Sequence, residues 1–369
     1  MMSKRDIAWS TVGIGAVLLS CWLLYHELRN ISLAEIAGSL QAISSHNWLL
    51  AILATAGAYS ALAWYDRIAV AHLGKKISWL FITMCSFTTY ALAHNIGASV
   101  FSGAVVRYRA YRSKGLTPHE IGILIVFCSF TFVLGTMFAG GVVLVTHPQL
   151  IERVADVTPW LAVLIGIVLL TLVGLYALGS WRQFKPWTRG KLHIEYPRLG
   201  IVGRQLLAGP LELCCAAAII YFALPELNNP GYWVILGIFL ASFSLALLSH
   251  APGGLGVLEV TFISALPEMA KADVLAALIV FRCFYLLLPF ALPGYLSFMA
   301  LRGFTSAIGR STPVMVISLV GPVANFLLNY ALIEGLFGLP KLGLVGIGLV
   351  TAILATGMAV ALLGRNGMG

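Results

Sequence analysis

The chain has 369 residues, of which 60% are hydrophobic and only 10% charged, and its net charge is +9. So little polar surface cannot cover a water-soluble globule, and the composition is that of an integral membrane protein. The basic excess is what membrane insertion itself leaves on one side, so nucleic-acid binding is not supported.

The opening "MMSKRDIAWSTVGIGAVLLSCW" has charged residues before an apolar run that reaches Tyr25, with no small-x-small cleavage site. It reads as a retained first span at 7–25 rather than a signal peptide, and "LLSC" at 18–21 is only a loose likeness of a lipoprotein box. Residues 31–43 alternate apolar positions at helical spacing with Glu35 and Gln41, which suits a helix lying on the membrane surface. Further spans are predicted at 47–65, 120–146, 159–179, 200–223, 274–300, 312–334 and 342–363, each long enough for about 30 Å of hydrocarbon. The six cysteines all fall inside apolar windows and read as small core residues, neither a disulfide framework nor a zinc site.

Two windows, 78–106 and 232–266, are decided by charge. Lys and Arg gather on cytoplasmic loops. Lys4 and Arg5 put the N-terminus inside, and two spans later Arg67, Lys75 and Lys76 are inside as well. A full crossing at 78–106 would export Arg107, Arg109, Arg112 and Lys114, whereas a turn back at "AHNIGAS" keeps them inside, together with "WRQFKPWTRGKLHIEYPRLG". The same reasoning makes 232–266 dip in from outside and return at "SHAPGGLGVLEVTF", where Pro252 and the glycines stop the helix. Of the 23 Lys and Arg, only Arg29, Arg153, Lys271 and Lys341 then lie outside, and Arg282 lies within the membrane. The predicted fold class is all-α: a polytopic integral membrane helix bundle of about eight spans plus two re-entrant helical hairpins, with a histidine before each break (His94, His250), as in an inverted transporter pair.

Backbone at that depth needs protein or a watery cavity to satisfy it, so both turns are expected to line a site. Glu212, Glu259 and Arg282 are the ionisable residues read as deepest in apolar windows, and a charge there is a functional candidate, against the alternative of a static ion pair. Counted at 1.5 Å per helical residue from the nearer boundary, Glu259 lies about 10 Å deep and Arg282 about 13 Å, so the two are expected to meet. Arg107 and Arg109, with Arg112 and Lys114, could gather anionic head groups or simply signal topology. Two histidines make no metal site, and the glycines lack the strand and Lys-Ser/Thr of a nucleotide loop, so no metal, cofactor or ATP is expected. No Ser, His and Asp constellation suggests an enzyme.

"APGGLGVLE", followed by the arginine of "VFRCFYLLLP" and preceded by "HNIGASVFSGAVVRYRAYR", resembles the flippase-like transmembrane region of bacterial lysyl-phosphatidylglycerol synthases and their stand-alone relatives, over about residues 5–291. The resemblance implies movement of aminoacylated or other phospholipids between leaflets, without the soluble aminoacyltransferase domain. It also implies substrate contacts at Asn95, His250, Gly253, Gly254 and Glu259, although the first break lacks the proline expected after Asn95. Residues 292–354, with "NFLLNY" and "GLFGLPKLGLVGIG", resemble an internal piece of a multidrug and toxic compound extrusion transporter. Two domains are therefore expected, 1–291 flippase-like and 292–369 extrusion-like. The expected function is a phospholipid translocator of the bacterial cytoplasmic membrane. A small-solute or drug exporter is the alternative.

Overall fold

In the computed structural model of the chain, the residues described are 31–290, apart from 97–98, 155–156, 184–186, 190–191, 195, 250–253 and 255, together with 323–324, 326–328, 330 and 357–358. The span predicted at 7–25 lies outside them, as does most of those predicted at 312–334 and 342–363. The chain divides into two compact units, Met1–Phe281 and Arg282–Gly369. The first unit is an all-α bundle, and its helices are numbered here in chain order.

Helix α1 (Leu33–Ala42) is capped by Ser32, whose side chain accepts the Glu35 N–H, and it packs against α10 (Lys271–Phe281). The predicted span at 47–65 is longer than its apolar run: α2 covers Ser45–His72. The extra two turns carry Asp66 and Arg67 into the helix. Helices α5 (Pro118–Thr146), α6 (Pro159–Trp181) and α7 (Leu199–Ala223) fall on predicted spans. Among the described residues five helices, at Ser45–His72, Pro118–Thr146, Pro159–Trp181, Leu199–Ala223 and Lys271–Phe290, are long and apolar enough to cross a bilayer. Many of α6's apolar side chains are exposed, Leu164, Ile167, Val168, Leu172 and Leu175 among them, as on a lipid-facing helix.

Small residues let the central helices touch. A Cβ added to Gly135 of α5 would lie 2.5 Å from the Gly209 Cα of α7, and one on Gly209 would lie 2.6 Å from the Gly135 Cα. The Tyr65 hydroxyl donates to the Gly209 carbonyl at 3.4 Å, so α2 closes on the same point. A second tie runs across α6, α7 and α5: Tyr176 donates to Gln205 at 2.9 Å, and Gln205 donates to Thr131 at 2.9 Å. Gln205 and Thr131 are fully buried, and each bond removes a polar group that hydrocarbon could not satisfy.

The two charge-decided windows are each a pair of helices. Helix α3 (Trp79–Ile96) and α4 (Ser99–Arg112) run antiparallel: Gly103 faces Thr89 and Ala93, Arg107 lies over the Tyr90 ring and Tyr111 meets Phe81. Helix α8 (Tyr232–Ser249) is followed by the short α9 (Val257–Ala265), which packs back on it. At 1.5 Å per residue, α4 is about 21 Å long and α9 about 13 Å, too short to cross the bilayer.

Contacts along the bundle sort its loops into two ends. Lys75 pairs with Glu120 at 2.7 Å, Arg67 lies over Trp79 and Lys114 over Phe81, which collects the loops at 73–79 and 113–117. Helix α6 runs against α5, with Gly166 near Leu144 and Val145 and Tyr176 near Phe130, so its C-terminus returns to that basic end. There Ser180 donates to the Pro197 carbonyl. At the opposite end a 3-10 turn, Pro148–Arg153, is held by Arg153, which donates to the Ala265 carbonyl at 3.1 Å and pairs with Glu268 at 2.6 Å. Among the described residues a short antiparallel ribbon lies in the loop between α6 and α7, Trp187–Arg189 with Leu192–Ile194.

In the second unit, the described backbone opens on a π-helical turn at Arg282–Leu287.

Candidate functional site

The glycine-rich break ahead of α9 is built around its own helix start. Gly254 and Gly256 have φ of +64° and +83°, the left-handed region that glycine adopts without strain. A Cβ on Gly254 would meet Leu258 at 2.6 Å and Ala246 at 3.0 Å, so glycine is also required by space. Glu259 is buried, and its carboxylate accepts the Gly256 N–H at 2.8 Å. A carboxylate at the third position of a helix thereby satisfies an N–H that no helical carbonyl reaches, and it sits at the positive end of the helix dipole. Capping of the broken helix is thus one task of the glutamate. His250, Pro252 and Gly253 lie outside the described residues.

Glu212 is buried on α7, two residues after Pro210, with Tyr65 within hydrogen-bonding reach of its carboxylate and Tyr59 nearby. Asn95 falls in the last turn of α3, where the backbone is helical and the side chain is not among those described. Arg282 stands first in the π turn of the second unit. A π turn is a frequent mark of a functional helix.

Arg107 is where the sequence reading needs correction. The sequence groups it with Arg109 as a collector of head groups or a topology signal at the cytoplasmic face, but of the two only Arg109 is exposed. Arg107 is 5% exposed and points into the bundle. Its Nε donates to Asp66 Oδ1 at 2.9 Å, and Nη2 lies 2.8 Å from the same oxygen. Cys128 of α5 donates its thiol to that oxygen at 3.0 Å, and the guanidinium carbon sits 4.9 Å from the centre of the Tyr90 ring. Four helices, α2 to α5, therefore meet at one buried ion pair.

Asp66 was missed because the predicted span stopped at Tyr65, just before the charge. A usable signal was present: Gly103, Arg107 and Tyr111 recur every four residues on one face of α4, and all three are buried, while Tyr108, Arg109 and Arg112 are exposed. Among the described residues no group of three or more His, Cys, Asp and Glu could hold a metal ion.

Long apolar helices, two antiparallel pairs with one or both helices short, and ionisable residues buried between helices define a multi-pass helical membrane protein. The chain belongs to the family of the lysylphosphatidylglycerol synthase TM region, whose pattern matches residues 10–292. The protein slr0712 of Synechocystis is 28% identical over 290 residues, which are 77% of this chain and 89% of that one. Inner membrane protein YbhN of Escherichia coli is 26% identical over 238 residues, 62% of this chain and 72% of YbhN. A probable multidrug resistance protein NorM of Pseudomonas putida is 77% identical over 79 residues, 21% of this chain. The chain spans only 17% of NorM's length.

Proposed function

We propose that the chain moves anionic or aminoacylated phospholipids between the leaflets of the bacterial cytoplasmic membrane, with its N-terminus and its basic end in the cytoplasm. In this reading it is a transporter, not an enzyme. The observation that carries the reading is the broken pair α8–α9, whose turn, capped by Glu259, puts a helix N-terminus inside an apolar bundle. Positive helix ends attract phosphate, and the buried carboxylates Glu212 and Glu259 suit a cationic aminoacyl head group. Family membership supports a lipid substrate, and YbhN's description as an inner membrane protein supports the compartment.

Export of drugs or small solutes is the second reading, favoured by the strong but short likeness to NorM. Purified protein in liposomes decides between them. Fluorescent phosphatidylglycerol, fluorescent aminoacyl-phosphatidylglycerol and a cationic dye are offered separately, and protein-dependent loss of leaflet asymmetry or dye efflux is followed. Movement of either lipid, with the dye retained, is the expected result. Dye efflux with static lipids would sink the lipid reading.

A further inference from the structure

The Asp66 carboxylate is used on one side only. Oδ1 accepts the Arg107 Nε–H and the Cys128 thiol and lies 2.8 Å from Arg107 Nη2, whereas Oδ2 is buried and meets no hydrogen-bond partner among the described residues. Asp66 itself is 0% exposed, and Arg107 is the one buried cation among the described residues of the first unit. The pair fastens the α3–α4 hairpin to α2 and α5.

We propose that Asp66 and Arg107 form a proton-sensitive latch, in which a proton bound by Asp66 releases Arg107 and frees the α3–α4 hairpin, so that lipid movement is coupled to proton uptake from the basic end. The unpartnered Oδ2 offers a place for the proton that displaces neither Arg107 nor Cys128 at first. Once Asp66 is neutral, Arg107 is an uncompensated cation in an apolar interior, which is strongly unfavourable. The helix that carries it must then move toward water or an anion, and a lipid phosphate is the anion a membrane supplies. Charge balances: the proton changes the pair from neutral to +1, and one phosphate restores neutrality, giving one proton per anionic lipid.

The titratable and charged neighbours of Asp66 are Tyr65 and Arg67 on α2, Cys85 and Tyr90 on α3, Tyr111 beside Arg107 on α4, and Cys128 on α5, with Glu212 of α7 reached through Tyr65. Thiols and phenols ordinarily ionise only in alkali, so the other neighbours that could answer to acid are Glu212 and, on α3, His94, whose ring centre lies 5.6 Å from that of Tyr90.

The coupling to lipid rests on the lipid-transport reading; the latch itself does not, and two measurements keep them apart. Hydrogen–deuterium exchange of Ser99–Arg112 is followed on the full chain in nanodiscs across roughly pH 4 to 8, normalised for the intrinsic pH dependence of exchange. The wild type is expected to exchange faster in acid. Asp66→Asn should exchange fast at every pH, Asp66→Glu should keep a pH response, and Glu212→Gln and His94→Gln should each leave the wild-type response in place. Flat exchange in the wild type, a surviving response in Asp66→Asn, or a response abolished by Glu212→Gln or His94→Gln would each overturn the latch. Should Asp66→Asn fail to fold, the wild type, Asp66→Glu, Glu212→Gln and His94→Gln still decide it.

In parallel, translocation of fluorescent phosphatidylglycerol is timed in liposomes with and without an imposed pH gradient, and acceleration by the gradient is expected. Responsive exchange without any lipid movement would keep the latch and sink the lipid reading. Lipid movement indifferent to the gradient would sink the coupling.

Discussion

Arg107 and Arg109 stand two positions apart on one helix and live in opposite environments, because two residues of an α-helix turn about 200° around its axis. Replacing Arg107 by Ala strands Asp66 as a buried, unpaired carboxylate, a loss of about 3–5 kcal/mol for pairs of this kind. Arg109→Ala should change stability by less than about 0.5 kcal/mol, as exposed substitutions do. Thermal unfolding of the two variants in detergent should therefore separate them clearly, and equal melting temperatures would contradict the burial of Arg107. Gly254→Ala asks a related question at the broken helix. Its Cβ has no space and its backbone is left-handed, so a loss of about 1–3 kcal/mol is expected in the same assay. The glycines and Glu259 were legible in the sequence because they interrupt an apolar run. Asp66 was not, since hydropathy places a span boundary at the first charge whether or not the helix continues beyond it.

At the scale of elements, the hairpin reading requires the loops after α4 and after α6 to share one side of the membrane. Single cysteines at Ser113 and Arg182, both exposed, should resist an impermeant thiol reagent in intact cells and react after lysis, in a background without native cysteines. Ser180 is an unsuitable reporter because it is buried against Pro197. Labelling at 113 from outside would break the proposed topology. At the other end, the Arg153–Glu268 clasp gives a pH prediction. Partial burial pushes the Glu268 carboxyl up, but a backbone hydrogen bond and Arg153 outweigh it, so the group sits below its ordinary value of 4.5. A depressed carboxyl stabilises fully above the ordinary value, and that contribution disappears as pH falls through the lower, folded one. Glu268→Gln should therefore be less stable than the wild type near neutrality, by no more than about 1 kcal/mol for so exposed a pair, and the difference should shrink as pH falls below the ordinary carboxyl value of 4.5 and vanish once the folded carboxylate is protonated. Circular-dichroism melts across that range test it. The element boundaries were legible from apolar length and from Pro and Gly, and the antiparallel turn of α3–α4 from the placement of basic loops. Which face of each helix packs inward was not, because a helix surrounded by lipid is apolar nearly all round and hydropathy loses its periodic signal.

The whole molecule poses a question of division. The compact units part at Phe281 and Arg282, whereas the domains proposed from the sequence, 1–291 and 292–369, part about ten residues later. If the extrusion-like segment is an appendage, a chain ending at Arg310 should insert, remain monodisperse in detergent and keep whatever lipid activity the full chain has. Aggregation of that truncated chain on size-exclusion chromatography would make the C-terminal segment part of the folding unit. The family was readable from the Pro-Gly-Gly turn and its glutamate. The buried hub of α2 to α5 became visible only when separate helices were brought together.

The contact between Gly135 and Gly209 has a mechanical consequence. With backbone against backbone and no side chain between, neither α5 nor α7 can slide along the other by a residue without driving a bulkier neighbour, such as Thr131, into the opposing chain. Translation is blocked there, while tilting about the point is not. The crossing is thus a fulcrum held by the Tyr65 hydroxyl, and any change that opens one end of the bundle through these helices would tend to narrow the other, a seesaw that the proposed lipid transport would use.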